Sequence, residues 1–117
     1  MLANRSQEYA KLQLHNGNYT QCAMSGGEAK NRQNLKKHGI DFETAQLVFE
    51  DPHLLTFQDR IVDSEERWQT FGVIDGFIVM VAHTWQEEGD EEVIRMISAR
   101  SASSREKRIY ETHKASG

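Results

Sequence analysis

The sequence predicts one α+β domain, in which two N-terminal helices precede an antiparallel meander sheet of three or four strands and a C-terminal helix. Three observations support this prediction. Apolar residues follow a helical spacing from residue 28 to residue 49, and an alternating spacing replaces it after the only proline, Pro52. A helical segment returns after residue 103. Helices segregated from an antiparallel sheet define the α+β class, and 117 residues suffice for a single domain.

Two helices are predicted before the sheet. The first covers residues 28–38 and ends at Gly39, a residue suited to the left-handed position after a helix. Its predicted packing face consists of Asn31, Leu35 and His38. Asp41 is the predicted N-cap of the second helix. The apolar stripe of that helix consists of Phe42, Ala45, Val48 and Phe49.

The predicted strands are 54–58, 66–74, 77–85 and 93–99. Asp75-Gly76 joins two of them and is a typical two-residue hairpin turn. The segment from Phe77 to Ala82 is apolar on both faces, which indicates a central strand covered on both sides. Ser103 and Glu106 form a capping box that opens the last helix.

The N-terminal residues 1–27 are interpreted as an extension of a domain that covers residues 28–117. This extension is polar and ends in a Ser25-Gly26-Gly27 break. An edge strand is predicted at residues 19–24, and the segment before it is interpreted as a weak helix or as disordered.

The charge is unevenly distributed along the chain. The net charge is −4, but residues 28–40 carry +3 and residues 93–117 carry +4, on either side of an acidic segment with −12. A local basic patch can still bind RNA, because salt confines each charge to about 8–10 Å. The single cysteine, Cys22, excludes an internal disulfide and favours the cytoplasm. The longest apolar run is too short to span a membrane.

Polar residues within the predicted strands are the candidates for chemistry. Arg95 lies between Ile94 and Met96, and a buried charge is costly unless it is paired. It either pairs with an acid across the sheet or binds phosphate, whose geometry suits a guanidinium group, and both explanations stay open. For Arg67, which follows Glu66 and points to the opposite face, a structural ion pair is favoured.

The sequence gives little support to a metal site, a cofactor site or a nucleophilic serine site. The five histidines match no metal-ligand spacing, and the chain contains neither a phosphate-binding glycine loop nor a nucleophile elbow, so neither a metal nor a cofactor is expected. From the pattern alone, His38 is interpreted as a packed residue. Core positions are likewise favoured for Trp68 and Trp85, although Trp85 lies beside an acidic segment.

Several motifs together resemble the BrnT family of toxins. Lys37-His38-Gly39 is followed by Phe42-Glu43-Thr44-Ala45. The resemblance continues through residues 48–52, 65–67 and 81–85, is strongest at 94–100 and closes with Ser103, Arg105-Glu106 and Tyr110. It covers residues 28–111. One difference is that Gly26 and Gly27 stand where family members usually carry Trp-Asp.

The resemblance implies a RelE-like fold, a ribonuclease activity that arrests translation, and a cognate BrnA-like antitoxin. The antitoxin would carry a ribbon-helix-helix element, through which the complex binds operator DNA. Carried over by position, the catalytic residues are Glu66, Arg67, His83, Arg95 and His38. The RNA-binding residues are Lys37, Arg100 and Arg105.

The implied reaction needs no metal. The RNA 2′-hydroxyl would attack the adjacent phosphorus, giving a 2′,3′-cyclic phosphate and a free 5′-hydroxyl. Glu66 or His83 would be the base and His83 or His38 the acid, while the arginines and Lys37 stabilise the charge on the phosphate. The alternative is a catalytically inactive module that serves as antitoxin partner and co-repressor, which the altered N-terminus motivates.

Overall fold

The computed structural model describes residues 10–15, 18–22, 27–88 and 91–116, and it describes side chains within 29–87 and 92–116. The strands are β1 (Ala10–His15), β2 (Asn18–Cys22), β3 (Leu55–Val62), β4 (Glu65–Ile74), β5 (Phe77–Glu88) and β6 (Glu91–Ser101). The helices are α1 (Gly27–His38), α2 (Phe42–Ala45), a 3-10 helix (Gln46–Glu50) and α3 (Ser104–Ser116). The predicted α+β class is confirmed. None of the described helices is long and apolar enough to cross a membrane.

Within the described residues, six strands form one antiparallel sheet in the order β2-β1-β6-β5-β4-β3. The interpretation of the residues before position 19 as weak helix or disorder is wrong for residues 10–15. They form β1, which pairs with β6 so that Lys11 lies opposite Arg95. Strand β2 lies at the outer edge, and residues 23 and 24 of the predicted edge strand lie outside the described residues.

The hairpin between β4 and β5 has the predicted turn. Asp75 has a φ of 49° and Gly76 a φ of 83°, so both central residues are left-handed. Two consecutive left-handed residues match the twist of an antiparallel pair, and they fix the register in which Ile74 lies opposite Phe77. The prediction that Asp75-Gly76 joins two strands is therefore confirmed.

Strand β5 is covered on both sides, as its apolar sequence predicted. We call its two sides the α2 face and the α3 face. The buried core of the α2 face consists of Phe42, Ala45, Val48, Ile74, Val79, Val81, Ile94, Met96 and Ala99. The buried core of the α3 face consists of Phe71, Ile78, Met80, Ala102 and Tyr110. Successive residues of β5 thus alternate between two cores.

Helix α1 is anchored to the sheet by an amide. Asn34 is 6% exposed, and its Nδ2 donates to the Ala99 carbonyl at 2.9 Å and to the Ile40 carbonyl at 2.8 Å. Its Oδ1 accepts from the Ala99 N–H at 3.0 Å. The predicted packing position of Leu35 is wrong, because that side chain is 47% exposed. Since the pairing of β1 with β6 ends at Met96, the Asn34 amide takes the place of a strand partner at Ala99.

Helix α3 is fixed at its first turn and at Tyr110, near its middle. The predicted capping box is confirmed, because Ser103 N–H donates to Glu106 at 2.8 Å and Glu106 N–H donates to the Ser103 hydroxyl at 3.2 Å. One helical turn later, the Tyr110 hydroxyl donates to Asp51. The same carboxylate oxygen accepts from the Val73 N–H of β4 at 2.9 Å. Asp51 therefore holds α3 against the sheet.

Candidate functional site

Two arginines of β6 lie on the α3 face. Arg95 is opposite Thr84 and Arg100 is opposite Met80, and those two β5 residues share a face because they are four positions apart. Five positions separate Arg95 from Arg100, a spacing that puts side chains on opposite faces of a regular strand. The register shift next to Ala82 inserts one extra residue in β6, and this residue returns Arg100 to the face on which Arg95 lies. The bulge therefore brings both arginines to one face.

Strand β4 adds an ion pair to the α3 face. Arg67 is four residues from Phe71, a core residue of that face. Its Nε lies 3.5 Å from Oε1 of Glu65, and the two side chains are 17% and 13% exposed. Both atoms are buried, and neither makes a hydrogen bond to another described residue. Glu66 points to the α2 face instead.

Glu65 was not identified as a candidate residue from the sequence. The signal was present, because residues two apart in a strand share a face, and Arg67 is two residues after Glu65. The family resemblance had drawn attention to the adjacent Glu66. The structure does not bring Glu66 together with the arginines.

Arg95 and Arg100 have different surroundings. Arg95 is 7% exposed, and its Nη1 donates to Gln86 at 2.5 Å. Arg100 donates to both carboxylate oxygens of Glu106, at 2.8 and 3.0 Å. The bonds from Arg100 are the main cause that lowers the pKa of Glu106 to about 2, and they raise the pKa of Arg100. Arg100 therefore ties β6 to the capping box of α3.

The basic end of α1 borders the same face. Lys37 and His38 line a groove together with Ile97 and Ser98 of β6. Ser98 pairs with Ala82, two residues from the partner of Arg95, so it lies on the α3 face between the two β6 arginines. The two sequence-predicted residues of α1 thus lie next to this face, whereas Arg105 is exposed on the first turn of α3.

His83 lies on the α2 face and is fully buried. Its Nδ1 donates to the Thr84 carbonyl at 2.9 Å, and this leaves Nε2 to accept from the Thr70 hydroxyl at 2.7 Å. The Phe49 and His83 rings pack in a T-shaped arrangement with centroids 5.2 Å apart. Burial lowers the pKa of His83 to about 4. The structure therefore places this predicted catalytic residue away from solvent and away from the arginines.

The buried His83 is expected to make the protein less stable in mild acid. Its pKa is about 4 in the folded chain, against an ordinary value of 6.5, so the unfolded chain takes up the proton first. The contribution of neutral His83 to the free energy of unfolding is fully present above pH 6.5 and is lost as the pH falls toward 4. We expect a loss of about 2 kcal/mol between pH 7 and 5, measured by urea unfolding. A His83→Gln variant that kept the full pH dependence would contradict this assignment.

The α3 face as a whole has a recognisable chemical character. Guanidinium groups suit the geometry of phosphate oxygens, and here they lie beside a carboxylate and the basic end of a helix. Among the described residues, no three His, Cys, Asp or Glu side chains come together as a metal site would require. The fold and the site define an α+β protein whose sheet carries arginines on one face.

Comparison with family models identifies the family. Residues 27–106 match the model described as the ribonuclease toxin BrnT of a type II toxin–antitoxin system, so the chain belongs to this family. The resemblance drawn from the sequence motifs is confirmed. The family is one of ribonuclease toxins, which implies RNA as substrate and an antitoxin as partner. A search of curated proteins found no match.

Proposed function

We propose that this chain is a metal-independent endoribonuclease that cuts RNA on the α3 face of its sheet. It acts in the cytoplasm, arrests translation and is neutralised by a BrnA-like ribbon-helix-helix antitoxin, through which the complex binds operator DNA. The observation that carries the proposal is the β6 bulge, which returns Arg100 to the face of Arg95; Arg67 lies on the same face of β4, across β5. Arginines that share a face can contact the same RNA phosphate.

The proposed reaction begins with the RNA 2′-hydroxyl. Glu65 takes its proton, a bond forms between the 2′-oxygen and phosphorus, and the bond from phosphorus to the 5′-oxygen breaks. His38 returns a proton to the departing 5′-oxygen, and the products are a 2′,3′-cyclic phosphate and a 5′-hydroxyl. Arg67 and Arg95 stabilise the charge that develops on the phosphoryl oxygens, a role in which guanidinium groups can replace a metal.

The remaining predicted residues take lesser roles in this proposal. Lys37 attracts the RNA backbone at the groove, and Arg105 extends the basic surface along α3. Arg100 positions α3 through Glu106 and contacts RNA only at the edge of the site. His83 supports the sheet from the α2 face, because burial excludes it from proton exchange with substrate.

Two adjacent glutamates allow a matched test of the base. We expect Glu65→Gln to lower the rate of RNA cleavage by about 10²–10⁴-fold, the usual contribution of general base catalysis. Glu66→Gln is the control, since it makes the same chemical change on the opposite face. Single-turnover cleavage of a labelled RNA measures both. A large loss in Glu66→Gln with full activity in Glu65→Gln would return the role to Glu66.

One observation favours a second candidate, a non-catalytic module that binds the antitoxin and acts as co-repressor. Each of the three arginines already contacts a side chain of the chain itself: Gln86, Glu65 or Glu106. Expression without an antitoxin separates the two functions. Growth arrest with shortened RNA supports the nuclease, whereas harmless accumulation of folded protein supports the module.

A further inference from the structure

The α2 face of the sheet carries an aromatic and acidic patch. The indole rings of Trp68 and Trp85 meet edge to face, with centroids 5.8 Å apart. Glu66 lies two residues before Trp68, and Glu87 lies two residues after Trp85, so strand alternation places both carboxylates on the same face. Ile61 of β3 is paired with Glu66. We call this set the tryptophan patch; it consists of Ile61, Glu66, Trp68, Trp85 and Glu87.

Much of the tryptophan patch is open to solvent. Ile61 is 63% exposed and Trp85 is 38% exposed. Glu66 and Glu87 are also exposed, and neither forms a side-chain bond with another described residue. Exposed apolar groups that lie together commonly mark an interaction site. The patch therefore has the surface of a binding site and not of a core.

The charge of the tryptophan patch determines which partner it fits. Carboxylates beside indole rings attract a cation, because the ring faces and the negative charges both favour it. The same carboxylates repel the phosphates of RNA, which the arginines on the opposite face attract. A protein segment that combines Arg or Lys with apolar side chains matches both halves of the patch.

We propose that the tryptophan patch docks a basic, partly apolar segment of the antitoxin. One Arg or Lys of that segment lies against the indoles and is balanced by Glu66 and Glu87, and an apolar neighbour covers Ile61. The proposal rests on the toxin–antitoxin pairing, but not on the assignment of the arginines to RNA cleavage. Together with the proposed function, it places antitoxin and RNA on opposite faces of the sheet.

The chain offers a direct optical test, because its only two tryptophans both belong to the patch. One probe is the antitoxin encoded in the same operon, with any Trp replaced by Phe. The other is a 12-nucleotide 2′-O-methyl RNA, which cannot be cleaved and whose binding is followed through a fluorescein label. We expect the antitoxin to change the tryptophan emission and the RNA to bind without changing it. If only the RNA changed the emission, the patch would be a base-stacking site and the proposal would be overturned.

A charge reversal gives a second, independent readout. We expect Glu87→Lys to weaken antitoxin binding by roughly tenfold or more, as for a charge contact at the centre of an interface. The melting temperature and the rate of RNA cleavage should stay at their wild-type values. Glu111→Lys makes the same charge change on an exposed position of α3 and is expected to bind the antitoxin normally. Equal affinities of the two variants would overturn the proposal, whether or not the protein cleaves RNA.

Discussion

Arg95→Ala is expected to abolish growth arrest and to lower the rate of RNA cleavage by about 10²–10³-fold, the effect of removing one electrostatic donor from an active site. Arg95 lies on β6, which is bordered by β1 and β5, and its guanidinium is almost fully buried at the α3 face. A group held in this way needs little reorganisation when charge develops on the phosphate. Arg95→Lys keeps the charge but loses the planar fork, so we expect intermediate activity.

Two controls separate this effect from unfolding and from general loss of charge. Circular dichroism melting should show that Arg95→Ala remains folded at the assay temperature. Arg108→Ala removes an exposed arginine of α3 and should cleave RNA at a rate close to that of the wild type. A folded Arg95→Ala protein with wild-type toxicity would show that this arginine serves only the structure.

Asn34→Leu is expected to have the largest effect on stability. The change keeps a side chain of similar size but removes the amide. The N–H and the carbonyl of Ala99 then lose the hydrogen bonds that Asn34 makes with them. Each buried backbone group left without a partner costs about 1–3 kcal/mol, so the free energy of unfolding should fall by roughly 2–6 kcal/mol. The free energy of unfolding of a small domain is about 5–15 kcal/mol, so this loss is a large part of it.

Gln33→Leu is the matched control for this substitution. Gln33 is the exposed neighbour of Asn34 on α1, and the same replacement there should change the free energy of unfolding by about 0.5 kcal/mol or less. Urea unfolding at pH 7 measures both variants. If they were equally stable, the Asn34 amide would not be the anchor of α1.

The parts of the fold that depend on neighbouring residues were predictable from the sequence. Asp41 caps α2 by accepting from the Thr44 N–H at 2.7 Å, and Gly39 adopts the left-handed conformation that ends α1. The Asp75-Gly76 turn is a further case. In each one the residue type itself favours the observed backbone conformation, whatever surrounds it.

The parts that depend on distant residues were not predictable in this way. Leu35 fits a helical apolar stripe better than Asn34, but the edge of β6 needs a donor and an acceptor, and only the asparagine supplies both. Residues 10–15 alternate apolar and polar side chains, which is a strand pattern, but the alternation alone does not reveal that they pair with the edge of β6. Such long-range pairing leaves little trace in local sequence.

The residues of the site were likewise predictable where they depend on neighbouring residues and not where they depend on distant ones. Strand alternation alone distinguishes Glu65 from Glu66 relative to Arg67. It fails for Arg95 and Arg100, because the bulge between them depends on pairing with β5. The burial of His83 was equally hidden, since it results from packing against Phe49 and Thr70.

The most direct test of the central claim is the chemistry of the cut ends. Purified wild-type protein and Arg95→Ala are incubated with a defined RNA in the presence of EDTA, and the products are analysed by mass spectrometry. We expect the wild type to leave 2′,3′-cyclic phosphate and 5′-hydroxyl ends, and Arg95→Ala to leave the RNA intact over the same time. Cleavage that requires an added metal, or that proceeds equally well without Arg95, would contradict the proposed mechanism.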